Sequence, residues 1–192
     1  MQKIFDKQKQ KMKLKFSFVA LLLLLITTTN AQLIKQWDFR YGGSAIDEFH
    51  DIIKTSDGGY LVCGYSESGI SGDKSQASRG SGDFWIIKIN AAGVKQWDKR
   101  FGGTNYDELF EAQETFDGGF ILGGWSNSGI GGDKSQASQG AGDYWIVKTD
   151  ALGNLQFDKT FGGSFEDYLQ SIKQTSDSGF ILAGRSNSGI SG

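Results

Sequence analysis

Oxygen-bearing side chains recur in a glycine-rich part of this chain and suggest cation binding. The recurring positions, each shifted by 60 residues, are Asp73, Ser75 and Asp83 in one copy and Asp133, Ser135 and Asp143 in the next. Calcium takes about six to eight oxygen ligands, many of them carboxylates. The spacing fits no EF-hand loop, so the four aspartates are only weak calcium candidates. A surface loop closed by its own Asx and serine turns is the competing interpretation.

The same segment is the expected place for ligand binding. It spans residues 66–82, and loops of this length inside compact repeats tend to be functional or mobile. Asp73, Ser75, Asp133 and Ser135 are therefore predicted ligand-binding positions. A second set shares one repeat position yet differs in chemistry, which suggests a rim without a strict packing demand. These rim residues are Tyr65, Trp125 and Arg185.

The chain has too few histidine and cysteine residues for two other common kinds of functional site. With one histidine and one cysteine, the chain cannot supply a zinc site or a histidine-based catalytic triad. His50 aligns with Phe110 and Gln170, which indicates a tolerated strand position. Cys63 aligns with small residues, so a buried small side chain is expected there.

Paired carboxylates are the one feature that favours an enzyme. Asp47-Glu48 recurs as Asp107-Glu108, and glycoside hydrolysis uses two carboxylates roughly 5–10 Å apart. Adjacent residues on a strand point to opposite faces, however. Because Asp47, Asp107 and Asp167 share one repeat position, hydrogen bonding within each unit is the better interpretation.

A repeat of 60 residues organises the chain. Gln36-Trp37-Asp38 returns as Gln96-Trp97-Asp98 and as Gln156-Phe157-Asp158. About half of positions 36–95 are identical in 96–155. A fixed period of this size indicates a repeat architecture whose units bury apolar faces only against their neighbours. The units are residues 36–95, 96–155 and 156–192, the last one incomplete.

Each unit is predicted to hold four strands. In the first unit they are residues 35–41, 47–55, 60–65 and 84–89. The first alternates apolar and polar residues, and the last two are apolar on both faces, as in strands covered by sheets on both sides. The second is ambiguous, because its copy at residues 107–114 would also suit a short helix. Asp57-Gly58-Gly59 suits a tight hairpin and favours strand.

Four short antiparallel strands buried on both faces describe a β-propeller blade. The predicted fold is therefore all-β, a partial β-propeller with four-stranded antiparallel blades. Residues 32–192 hold about 2.7 units, fewer than the four to eight blades of a closed propeller. We expect a fragment of a longer chain, with an arc completed by self-association as the alternative. A β-solenoid is the second architecture.

The N-terminal residues predict export. Six lysines precede an apolar run at residues 16–26, and small residues follow as far as Ala31. This order is typical of a signal peptide at residues 1–31, and the run is shorter than the roughly 20 residues of a membrane span. Met12 is an alternative start, so residues 1–11 are a suspected annotation artefact. Without residues 1–31 the chain has 14 basic and 21 acidic residues, which argues against nucleic acid and anionic membranes as partners.

The repeated motifs resemble a known group. Trp-Asp-Lys-x-Phe-Gly-Gly, then Thr-x-Asp-Gly-Gly-Phe-Ile-Leu-x-Gly, then Asp-Tyr-Trp-Ile-Val-Lys-x-Asp-x-x-Gly resembles the repeats of secreted bacterial β-propeller proteins. It is similar to delta-sixty repeats and to arrays that end in a type IX secretion sorting tail. The resemblance covers nearly all of residues 36–192 and implies extracellular or cell-surface display. It implies no activity.

These observations predict an exported, non-enzymatic repeat protein for surface display or for binding a protein or glycan, with no cofactor. Two alternatives stay open. One is a propeller enzyme that acts on polysaccharide, and the other is a structural adhesin.

Overall fold

The structure, a computed structural model, describes residues 34–189, and these residues form ten β-strands. The strands are β1 (Asp47–Lys54), β2 (Tyr60–Ser66), β3 (Asp83–Ile89), β4 (Lys95–Phe101), β5 (Asp107–Glu114), β6 (Phe120–Ser126), β7 (Asp143–Thr149), β8 (Leu155–Phe161), β9 (Asp167–Gln174) and β10 (Phe180–Ser186). Within this range no helix is long and apolar enough to cross a membrane. The predicted signal peptide, residues 1–31, lies outside the described residues.

The strands form three antiparallel sheets. Sheet I has the order β1-β2-β3-β4, sheet II has the order β5-β6-β7-β8, and sheet III pairs β9 with β10. The all-β, antiparallel prediction is confirmed. The ambiguous second segment is a strand in every unit, including residues 107–114, because pairing with the following hairpin strand overrides its helical propensity.

The sheets are offset from the sequence units by one strand. β4 and β8 coincide with predicted strands, but each completes the sheet of the preceding unit by pairing with β3 or β7. The turn at residues 90–93, closed by Gly93 N to Asn90 O at 2.9 Å, folds β4 back onto β3. The strand predicted at residues 35–41 is wrong, since these residues are irregular. No earlier strand among the described residues is available to pair with them.

Tight hairpins join the first two strands of each sheet, as predicted. Gly58 and Gly118 take the left-handed conformation there, with φ of 84° and 78°. Ser178 stands at the same place in sheet III with φ of 69°. Because a side chain at positive φ is unfavourable, sheet III has the costliest of the three hairpins.

Apolar side chains fill the spaces between successive sheets. The cluster between sheets I and II consists of Leu61, Cys63, Phe84, Ile86, Phe101, Leu109, Ala112, Phe120, Leu122, Trp145 and Val147. The cluster between sheets II and III consists of Ile121, Ile146, Leu169 and Ile172. Cys63 is fully buried, and burial raises the pKa of its thiol. Each sheet therefore depends on its neighbour for burial.

The first strands of the three sheets, β1, β5 and β9, are bridged by polar side chains. Ala112 N donates to Asp51 Oδ2 at 3.1 Å, and Ile172 N donates to Glu111 Oε2 at 2.5 Å. Asp51 and Glu111 occupy one repeat position. They satisfy backbone groups at sheet edges that would otherwise be free to pair with another chain.

Candidate functional site

The long loops, residues 67–82 and 127–142, are braced against neighbouring strands and turns. Asp73 Oδ2 accepts from Gly42 N at 3.2 Å, and Ser75 N donates to Asp98 Oδ2 at 2.9 Å. In the second loop Ser135 N donates to Asp158 Oδ2 at 2.9 Å. These contacts are the same in both copies. The predicted ligand-binding residues of these loops therefore have a structural role, which is to hold the loops against neighbouring strands and turns.

The four calcium candidates do not converge. Asp133 Oδ2 lies 2.5 Å from Arg79 Nη1 and 2.8 Å from Arg100 Nη1, so two cations already neutralise it. Asp83 and Asp143 are fully buried, and their Oδ2 atoms accept backbone N–H groups of their own loops. No cluster of three or more potential metal ligands occurs among residues 34–189.

The repeated aspartates that begin β1, β5 and β9 hold the preceding Gly-Gly turns. Asp107 is fully buried and accepts from Gly103 N at 2.8 Å, from Ser128 Oγ at 3.0 Å and from Ser126 Oγ. Burial raises the pKa of Asp107. Asp47 makes the same contacts in sheet I. Both carboxylates hold turns; Asp107 is closed to a substrate, whereas Asp47 is half-buried and lines a cavity on sheet I.

Two buried lysines of the long loops, Lys74 and Lys134, each lie beside a buried tryptophan ring. Lys74 Nζ lies 5.6 Å from the centre of the Trp85 ring, and Lys134 Nζ lies 5.3 Å from that of Trp145. Burial lowers the pKa of each lysine to about 8. Because the pair recurs in successive repeats, we assign it to the packing of the long loops onto the sheets.

The predicted rim residues are brought together in an aromatic row across the three sheets. The ring centres of Tyr65 and Tyr106 lie 5.2 Å apart, and those of Tyr106 and Trp125 lie 6.1 Å apart. Trp125 then stacks on Tyr168 at 5.3 Å with an interplanar angle of 8°, and the Arg185 guanidinium lies 4.6 Å from the centre of the Tyr168 ring. The rim positions therefore lie in one row.

The residues of this row differ in how far their side chains are exposed. Tyr65 and Trp125 are each 7% exposed, so their rings pack between sheets, contrary to the expectation that this position escapes packing. Arg185 is exposed. Of the three rim residues, Arg185 alone offers its side chain to a ligand.

A β-bulge at the same place in β1, β5 and β9 adds a residue that the sequence did not mark as functional. His50, Phe110 and Gln170 are each skipped in the strand register. A bulge leaves one residue out of the ladder and re-aims its side chain. The signal in the sequence was the change of chemistry at this position, which we interpreted only as a tolerated strand position.

A cavity of about 370 Å³ opens where the bulge of β5 meets sheet III. It is lined by Phe110, Tyr168, Gln170 and Arg185. At the equivalent place between sheets I and II, His50 packs edge-on against Phe110 at 5.3 Å. Gln170 is smaller than the Phe110 ring at the same repeat position, so the space between sheets II and III stays open.

Two acidic residues, Glu108 and Glu166, lie near Tyr168 of this cavity. His50 Nε2 lies 3.3 Å from Glu108 Oε1, and burial raises the pKa of Glu108 while His50 opposes that shift. Burial, with a smaller contribution from Glu166, raises the pKa of Tyr168. Arg185 forms no ion pair with another residue of the described range. The site offers an aromatic ring, an amide and a guanidinium that stacks on Tyr168 without an ion-pair partner in the described range.

A comparison with known protein families finds no family model that matches this chain, and a comparison with curated proteins finds no significant match.

Proposed function

We propose that this chain is an exported, non-enzymatic repeat protein that captures a ligand at the cell surface, and that its sheets are successive blades of an incomplete β-propeller. The predicted signal peptide and the resemblance to secreted repeat proteins support export. The regular contact of β1 with β5 and of β5 with β9 supports a propeller, because innermost strands of neighbouring blades approach one another around an axis.

The cavity between sheets II and III carries the proposal that the chain binds a ligand. Most buried apolar positions stay apolar in every repeat, whereas every residue lining this cavity belongs to a position whose chemistry changes between repeats. A volume of about 370 Å³ lies at the small end of the range of ligand pockets, roughly 300–1,000 Å³. Variation that is concentrated around a cavity is what ligand recognition on a repeated scaffold requires.

A neutral saccharide suits the cavity best. The half-buried ring of Phe110 provides an apolar platform, and Gln170 and Arg185 provide hydrogen-bond donors and an acceptor for hydroxyl groups. Arg185 attracts anions, but Glu108 and Glu166 near Tyr168 and the net negative charge of the chain without residues 1–31 oppose this attraction and disfavour an anionic sugar. We therefore propose a neutral glycan as the ligand.

Calorimetric titration of the purified protein with neutral oligosaccharides that are selected on a glycan array tests this. Phe110→Ala and Arg185→Ala should each weaken binding about tenfold, the worth of an aromatic contact or a hydrogen bond. The matched control is Phe116→Ala, because Phe116 is 70% exposed in the hairpin turn between β5 and β6 and lies outside the cavity. Equal affinity of Phe110→Ala and the native chain, or binding restricted to uronate sugars, would contradict the proposed ligand.

The enzyme alternative has a separate test. A hydrolase panel on polysaccharides should show no turnover, since the repeated aspartates are engaged in turns. Turnover that is lost in Asp107→Asn without loss of stability would instead support an enzyme.

A further inference from the structure

Two apolar sheet faces have no neighbouring sheet within the described residues. The receiving face is the side of sheet I turned away from sheet II, and it includes Phe49, Ile52 and Val62. Ile52 is 55% exposed, whereas Ala112 and Ile172 at the same repeat position are 1% and 0% exposed. The equivalent faces of sheets II and III are each covered by the preceding sheet.

The inserting face is the side of sheet III turned away from sheet II, and its central residue is Ile181. Ile181 is 61% exposed, whereas Leu61 and Ile121 at the same repeat position are fully buried. In sheets I and II this position therefore lies against the next sheet, and in sheet III no residue of the described range covers it.

The two internal interfaces show how these faces fit. Leu61 of sheet I is buried in one cluster with Leu109, Ala112 and Leu122 of sheet II. Ile121 of sheet II is buried with Leu169 and Ile172 of sheet III, and Leu182 packs against that cluster. Ile181 stands one repeat after Ile121. We therefore expect it to contact residues at the same repeat positions as these partners.

The residues at those positions in sheet I are Phe49, Ile52 and Val62, all apolar, and they line a cavity of about 450 Å³ on the receiving face. Residues 37–41 cover only the outer part of this face. Trp37 lies 6.3 Å from Tyr60, much as Trp97 of β4 lies 6.1 Å from Phe120 of sheet II. Residues 37–41 thus stand where the fourth strand of a preceding sheet would lie.

The open part of the receiving face is where the first two strands of a preceding sheet would lie. In the internal interface β1 and β2 are the strands of sheet I that contact β5 most extensively. Sheet III consists of the two strands of these types, β9 and β10. Its shape therefore matches the vacant part of the receiving face.

We infer that the inserting face of one copy of this chain docks on the receiving face of a second copy, head to tail. The interface repeats the stacking of sheet I on sheet II and buries Ile181 against Phe49, Ile52 and Val62. It lacks the hydrogen bond from a carboxylate that links the first strands of neighbouring sheets within the chain. Ser171 stands at the repeat position of Asp51 and Glu111, which make that bond. The association is therefore weaker than the internal contacts and depends on protein concentration. Since the two faces differ, copies add until a ring closes or a filament grows.

The test is sedimentation velocity of the purified chain over a wide range of concentration. Ile52→Asp blocks only the receiving face, and Ile181→Asp blocks only the inserting face; both side chains are more than half exposed, so folding is retained. The native chain should form dimers and larger species, and each variant alone should be a monomer. An equimolar mixture of the two variants should form a dimer and nothing larger, because one competent face remains on each partner. Ile130→Asp, at a loop residue 74% exposed, is the matched control and should assemble like the native chain.

Three results would overturn the inference. They are a native chain that is monomeric at every concentration, single variants that still assemble, and a variant mixture that stays monomeric. Pairing through the free edge of β10 would survive Ile52→Asp and is thereby distinguished. The test does not depend on the glycan proposal, because the substituted residues lie outside the cavity between sheets II and III.

Discussion

Replacing Ile172 by alanine should destabilise the protein about three times as much as replacing Ile52, although both occupy one repeat position. Ile172 is fully buried with Ile121, Ile146 and Leu169. The change removes three carbon atoms, worth about 2.4 kcal/mol of transfer free energy at ~0.8 kcal/mol each. The cavity that remains adds to this, so we expect a loss of about 3–4 kcal/mol, within the range of roughly 2–5 kcal/mol for buried isoleucine.

Ile52 is 55% exposed, so the same truncation removes less than half of the buried contact and leaves no closed cavity. We expect a loss of about 1 kcal/mol. Urea denaturation should show both changes as shifts in the midpoint with an unchanged slope. The measurement belongs at a concentration too low for association.

Equal losses at the two positions in dilute solution would refute this reasoning. They would mean that Ile52 is covered within a single chain, so that the receiving face does not exist as described. A cost at Ile52 that grows with protein concentration, in contrast, agrees with docking of a second copy.

Three further predictions concern the hairpin and the buried aspartates. Ser178→Gly should raise the free energy of unfolding by about 0.5–1 kcal/mol in urea denaturation, because glycine tolerates the φ of 69°; no gain would show that the serine is unstrained. Asp107→Ala should cost about 3–5 kcal/mol in the same assay, because three hydrogen-bond donors lose a fully buried acceptor; a loss under about 1 kcal/mol would contradict that role. Burial raises the pKa of Asp83 from 3.8 to about 6, so its contribution to stability is complete below pH 3.8 and is lost as the pH rises through 6. The native chain should therefore lose on the order of 3 kcal/mol relative to Asp83→Asn between pH 4 and 7, and a difference that does not vary with pH would refute the shift.

Much of the fold was predictable, because it depends on local patterns. The alternation of apolar and polar residues located β4 and β8, and runs of apolar residues located β2 and β3. Asp-Gly-Gly marked the hairpins, because glycine adopts positive φ at little cost. These patterns depend only on residues that are close together in the chain, so they can be recognised in the sequence alone.

The candidate site was predictable only in part. Arg185 was singled out from its changing repeat position, and it does line the cavity. Tyr65 and Trp125 share that position but are buried, because each is covered by a neighbouring sheet. The bulge that presents Phe110 depends on the register between two strands, which composition does not reveal.

The sequence by itself determined the period, the strand segments and the turns, because these follow from preferences of residues close together in the chain. Only the tertiary structure decided which sheet each strand joins, and it assigned β4 to the sheet of the preceding unit. It also decided which equivalent residues are buried, as Ile172 and Ile52 show. The physical reason is that pairing and burial depend on residues distant in sequence, so identical positions acquire different environments when their neighbours differ.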